Sequence, residues 1–149
     1  MRILLLGNSE VGKSTLINRL SGRPLPTAYR PTTFYAVSAT LDSEVDIIEV
    51  PGAEMHRTLP LEALASVDRI VVMLAMDDAE TLYTHTQWIQ NFQHLRKPIR
   101  LLVNKSDLDA EPQTTVFTLM SLHNAGEHPW EFISCWSDTR ERLMQALIR

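Results

Sequence analysis

The octapeptide Gly7-Asn8-Ser9-Glu10-Val11-Gly12-Lys13-Ser14 holds the first chemistry in this chain: two spaced glycines, then a lysine and a hydroxyl. Glycines at these places let the backbone curl round a phosphate chain with successive N–H groups pointing inward, while a following helix presents its positive end to the anion. Lys13 then reaches the outer phosphates as a point charge, and the Ser14 hydroxyl takes one site on an octahedral Mg2+. Ser9, Glu10, Val11 and Thr15 complete the stretch that such a loop offers to its ligand. A glycine-bounded surface turn can share this spacing. What sets the present one apart is its place between a strand-like run, Ile3 to Leu6, and a helix-like one, Leu16, Ile17 and Leu20.

A second motif, Asn104-Lys105-Ser106-Asp107, follows another apolar run, Ile99 to Val103. Ligands of open α/β sheets bind beyond the carboxyl ends of strands, and this motif stands there. The Asp107 carboxylate can accept two hydrogen bonds from the N1–H and exocyclic amine of guanine. Adenine would leave it unpaired and desolvated, so such a site rejects the wrong base by orders of magnitude. Alone, Asn-Lys-x-Asp is an ordinary turn. About ninety residues after a phosphate loop, it selects guanine.

These motifs need rigid elements beneath them. Strand candidates fall at Arg2–Leu6, Phe34–Thr40, Val45–Val50, Arg69–Ala75, Ile99–Val103 and Glu131–Ser134. Helix candidates lie near Lys13–Leu20, Leu61–Ser66, Asp78–Leu95, Gln113–Asn124 and Asp138–Ile148. Alternating strands and helices predict an α/β fold: a six-stranded, mostly parallel sheet covered on both faces. Only Leu41-Asp42-Ser43-Glu44 separates the second and third strands, too short a link for a parallel crossover, so that pair must be antiparallel.

With 149 residues the chain is one domain, able to bury about two-thirds of its unfolded surface. Neither a membrane-length apolar run nor a secretory pattern is present in it. The single cysteine, Cys135, argues against disulfides and zinc and fits a cytoplasmic setting. A net charge of −4 gives no electrostatic footprint for nucleic acid. No prenylation cysteine ends the chain and Arg2 stands where myristoylation needs glycine, so no membrane anchor is expected. His56, His85, His94, His123 and His128 form no tight ligand pair and read as surface or helix-face residues. Trp88 and Phe92, four apart, read as packing, and Leu143, Ala146 and Leu147 as the inward face of the last helix.

The stretch L-L-L-G-N-S-E-V-G-K-S-T-L resembles the phosphate loop of the Ras and Rab group, with Ser9 where Rabs often carry serine. Its continuation, G-K-S-T-L-I-N-R-L-S-G, and the Val50-Pro51-Gly52 turn look more like the bacterial Era-type GTPases. From Met1 to Arg149 the chain is thus similar to the small P-loop GTPases, without matching one subfamily. The resemblance implies a three-layer α/β/α G domain that holds GTP or GDP with Mg2+. It also implies a switch that meets an effector through the Thr27–Phe34 and Gly52–Leu64 segments, aided by an exchange factor and a GTPase-activating protein.

The same resemblance assigns roles. Tyr29-Arg30-Pro31-Thr32 matches the first switch, making Thr32, or its neighbour Thr33, the residue that closes on Mg2+ and the γ phosphate. Loss of that phosphate would release the loop. Glu49-Val50-Pro51-Gly52 stands where the family has Asp-x-x-Gly. Glu49 keeps the charge for a Mg2+-bound water, and Gly52 keeps the N–H facing the γ phosphate. Ala53 occupies the place of the glutamine that orients the attacking water, so intrinsic hydrolysis should be slow. Glu54, one place on, is either a substitute for it or, the favoured reading, a solvated switch residue. Ser134-Cys135-Trp136 is similar to the Ser-Ala-Lys stretch whose middle N–H meets the guanine carbonyl. Trp136 either stacks near the base or packs over the last helix. Leu25 stands where relatives put an aromatic under guanine. Glu10, where glycine or asparagine is usual, sets a carboxylate beside the polyphosphate and argues for fast exchange and against a potassium-assisted route. Three functions follow: a GTP/GDP switch with weak hydrolysis, a guanine-nucleotide-binding scaffold that does not cycle, and, disfavoured by Asp107, an ATP-using enzyme.

Overall fold

Runs of aliphatic residues build the sheet. The computed structural model describes residues 1–22, 37–50, 66–105 and 128–149. Its strands are β1 (Arg2–Leu6), β2 (Val37–Leu41), β3 (Val45–Glu49), β4 (Arg69–Ala75), β5 (Ile99–Asn104) and β6 (Trp130–Phe132). The helices are α1 (Lys13–Ser21), α2 (Ala79–Phe92) and α3 (Arg140–Ile148), with a 3-10 turn at Gln93–Leu95. In the sheet the strands run in the order β2-β3-β1-β4-β5-β6. Leu4 pairs with Ile48 on one side and Ile70 on the other, both in parallel register. Only β2 and β3 are antiparallel, Leu41 facing Val45, and their turn uses left-handed Asp42 (φ 50) and Ser43 (φ 60). The expected six-stranded, mostly parallel sheet with one antiparallel strand is therefore present.

Alternation along each strand sends neighbours to opposite faces. Leu4, Leu6, Val72 and Val103 meet Trp88 and Phe92 of α2 in one core. Ile3, Leu5, Val71 and Met73 meet Leu16, Ile17 and Leu20 of α1 with Leu143, Ala146 and Leu147 of α3 in the other. Both faces of the sheet are covered, giving the α/β/α layers, and a strand buried on two sides reads as the continuous apolar run seen in β1 and β4. Each large aliphatic side chain so buried contributes about 1.5–3 kcal/mol.

Several element ends differ from expectation for local reasons. The long helix tightens to the 3-10 turn after Phe92 and stops at Arg96, which is left-handed (φ 52). At its start Asp78 is the cap, accepting the Glu80 N–H at 3.1 Å. The last helix starts at Arg140 rather than Asp138, because the Asp138 carboxylate accepts the Ser134 N–H (2.9 Å) while Thr139 caps by accepting the Arg142 N–H (3.2 Å). Asn104, expected on a loop, is the final residue of β5. β6, one of the two edge strands, is Trp130–Phe132, shorter than expected, and its Glu131 carboxylate gathers Arg100 (3.1 Å), Arg149 (3.3 Å) and Arg142. The helices expected near 61–66 and 113–124, and the start of the second strand, lie outside the described residues apart from Ser66.

Candidate functional site

The loop leaving β1 meets the ends of β3 and β5 at the carboxyl edge of the sheet. Gly7 (φ 149) lies against β4, where a Cβ would come within 2.7 Å of the Met73 carbonyl oxygen. Gly12 (φ 105) has its empty Cβ position only 2.2 Å from Asn104 Nδ2. Both glycines are thus fixed by close approach as well as by backbone conformation. Gly12 is the N-cap of α1 and gives it no side-chain cap, so the start of the helix, the end that favours anions, faces the loop. Ser9 and Glu10 are exposed, Val11 is buried, and Thr15 is half-buried in the first turn of α1. Glu10 is left-handed (φ 66), a conformation that glycine adopts without steric cost.

Lys13, nearly buried, points its ammonium back into the loop and donates to the carbonyls of Gly7 (2.6 Å) and Asn8 (2.9 Å). Burial pushes its pKa down to about 8, opposed by the negative charge of Glu49. At the end of β3, Glu49 is buried and its Oε1 accepts the Ser14 hydroxyl at 2.9 Å. A hydroxyl and a carboxylate side by side are hard oxygen donors that suit Mg2+, which takes few protein ligands and completes its shell with phosphate oxygens and water. Among the described residues no larger group of His, Cys, Asp and Glu could hold a metal.

Asn104 joins three parts of the site. Its Nδ2 donates to the Val11 carbonyl (2.9 Å), and its Oδ1 accepts the Cys135 N–H (3.1 Å). The N–H assigned by resemblance to a guanine carbonyl is in this structure held by Asn104. Lys105 (φ 63) extends over the loop, donating to the Glu10 carbonyl (3.0 Å) and to Asp77 Oδ2 (3.0 Å). Ser134 Oγ accepts the Ser137 N–H at 3.2 Å, which shapes the turn carrying Cys135 and Trp136. Burial, with Asp138 nearby, pushes the Cys135 thiol up to about 12, so it is an inert packing group whose backbone matters. Trp136 is 59% exposed.

A sequence model of the Ras family matches residues 2–149. The chain belongs to the Ras family. It is a small P-loop GTPase with Era-type features and no assigned subfamily. It is similar to GTPase Der of Chlamydia muridarum (strain MoPn / Nigg), 31% identical over 126 residues that make up 76% of this chain and 26% of that protein. GTPase Era of Ectopseudomonas mendocina (strain ymp) is 26% identical over 117 residues, 70% of this chain and 39% of that protein. Ras-related protein RABE1e of Arabidopsis thaliana is 26% identical over 157 residues, covering 99% of this chain and 72% of that protein. The chain thus spans 26% of the length of GTPase Der.

For this Ras-family chain the structure brings together Gly7, Gly12, Lys13, Ser14, Glu49, Asn104, Lys105, Ser134 and Cys135. Leu25, Thr32, Thr33, Gly52, Ala53, Glu54 and Asp107 lie outside the described residues. Sequence reasoning missed Asn8 and Asp77. Asp77 shows itself only as the partner of Lys105. Asn8 gave no local signal, because its partners Thr84 and Trp88 lie 76 and 80 residues further along the chain. Of the histidines discounted as surface or helix-face residues, His85 is buried on α2. Among the described residues no helix is long and apolar enough to cross a membrane.

Proposed function

We propose that this chain is a guanine-nucleotide switch: it binds GTP and GDP with Mg2+, hydrolyses GTP slowly without help, and meets an effector through its switch segments when loaded with GTP. The convergence of Lys13, the Ser14–Glu49 pair and the Asn104 clamp at one sheet edge carries this reading. Lys13 and the N–H groups of the loop and first turn bind and orient the polyphosphate. Ser14 and Glu49 hold the metal side, where a bound Mg2+ would neutralise charge on the β and γ phosphates. Asn104 holds the base motif in register with the loop, so that Asp107 selects guanine. Thr32 senses the γ phosphate, and Gly52 offers it an N–H. Ala53 leaves the attacking water without an orienting amide, so turnover needs a partner.

Calorimetry with Mg2+ and GDP, GTP or ADP tests the binding, and single-turnover hydrolysis tests the chemistry. Guanine nucleotides should bind and ADP should not, with turnover of about 10⁻⁴ s⁻¹ or slower. Equal affinity for ADP, or no uptake, refutes the proposal. A scaffold that binds without cycling is the second reading, favoured by the left-handed, carboxylate-bearing Glu10 where a glycine conformation is required. Bound GTP that stays intact through the single-turnover run would select it.

A further inference from the structure

The phosphate loop is gripped from the side by a helix that carries none of the nucleotide motifs. Asn8 Nδ2 donates to Thr84 Oγ1 at 2.8 Å, and the Trp88 indole Nε1–H donates to Asn8 Oδ1 at 2.8 Å. Thr84 and Trp88 lie one turn apart on α2, so their polar ends reach the same point. An indole N–H can only donate, so it fixes which way the Asn8 amide faces and sends the NH2 to Thr84. The Thr84 hydroxyl, in turn, donates to the Glu80 carbonyl at 3.1 Å. Trp88 is itself immobilised: it is 1% exposed and stacks on Phe92 with ring centroids 6.3 Å apart. The main-chain carbonyl of this same Asn8 accepts the Lys13 ammonium at 2.9 Å.

We infer that Trp88 and Thr84 are positioning residues for the nucleotide: by holding the Asn8 side chain they set the curvature of the phosphate loop and the seat of Lys13, and so the lifetime of the bound nucleotide. A core role alone would be served as well by phenylalanine, which fills the space without a polar end. Here the polar end leaves the core and terminates on the loop. The inference rests on the loop being a guanine-nucleotide site.

The test is release of fluorescent GDP from the Mg2+-loaded protein, after calorimetry on the parent. Trp88→Phe should speed release about fivefold, which is about 1 kcal/mol and the usual worth of one neutral hydrogen bond, and Asn8→Ala, which loses the bonds to both Trp88 and Thr84, should speed it at least as much. Combined, they should be no faster than Asn8→Ala alone, since that variant already lacks the bond that Trp88→Phe removes. Ile99→Ala thins the same core at the end of β5 far from Asn104, without touching Asn8, and should lower the melting temperature while leaving release at the parent's rate. Thr84→Val, less buried, covers the case in which Trp88→Phe does not fold, and should accelerate release about threefold. Parental release rates in Trp88→Phe or Thr84→Val, equal acceleration by Ile99→Ala, or multiplying effects in the double variant overturn the inference alone. A parent that takes up no guanine nucleotide overturns the site and the inference together.

Discussion

Replacing Gly12 by alanine should cost the nucleotide-free fold about 3–5 kcal/mol, and the structure shows where each part arises. At φ 105 an alanine is strained by about 1–3 kcal/mol. Its Cβ would also lie 2.2 Å from Asn104 Nδ2, closer than any real contact, so the amide must swing away. Swinging breaks the bonds to the Val11 carbonyl and the Cys135 N–H, each worth about 1 kcal/mol and both buried. Asn104→Ala alone loses the same bonds and should cost about 2–3 kcal/mol. In the double variant the clash has no partner, so only the backbone strain adds to the Asn104→Ala loss. The combined cost should therefore fall short of the sum by about 2 kcal/mol. Urea unfolding of the four proteins without nucleotide measures this directly. A Gly12→Ala protein within about 1 kcal/mol of the parent, or strictly additive costs, would show that the glycine and the amide are not in steric contact.

The Lys13 pKa gives a pH prediction with a definite sign. Its folded value of about 8 lies below the usual lysine value, so between them the unfolded chain binds more protons and stability of the nucleotide-free protein should rise with pH. Lys13→Met should abolish that rise, by at most about 3 kcal/mol in urea titrations; an identical profile in the variant refutes the assignment. Over the same window nucleotide affinity should fall as pH rises, because the anion needs the ammonium form, and calorimetry in several buffers should detect proton uptake on binding. Glu10→Gly relieves a left-handed residue and removes a carboxylate from the loop, so labelled GDP should leave more slowly. Unchanged release would show that Glu10 is not what hastens exchange. Ala53→Gln should raise single-turnover hydrolysis, and an unaltered rate would mean that the missing glutamine does not limit the chemistry.

Much of this architecture is readable because local and global signals agree. Strand β1 announces itself as an unbroken aliphatic run since both its faces are covered, and the hairpin follows from a link too short for anything else. Gly12 and Lys13 could be placed from spacing alone. The partnership of Gly12 with Asn104 could not, because it depends on a distance between segments far apart in the chain. Asn8 escaped for the same reason: an amide in a loop looks solvated until the helix that binds it is in place. Trp136 kept two readings because its neighbours are set by the turn around Ser134 and not by the period of α3. Helix ends shifted where one carboxylate, Asp138, was already committed to another N–H.

The gathering of three guanidinium groups on Glu131 bears on how this sheet stops. A sheet border is an open template, and a long apolar one recruits stray chains into fibrils. Here the border offers three residues, Trp130–Phe132, whose central carboxylate is roofed by arginines from β5 and α3. An intruding strand would find too few free N–H groups to pair with and a dense cationic rim to displace. The same ion cluster that fastens the last strand therefore also guards it against unwanted self-association.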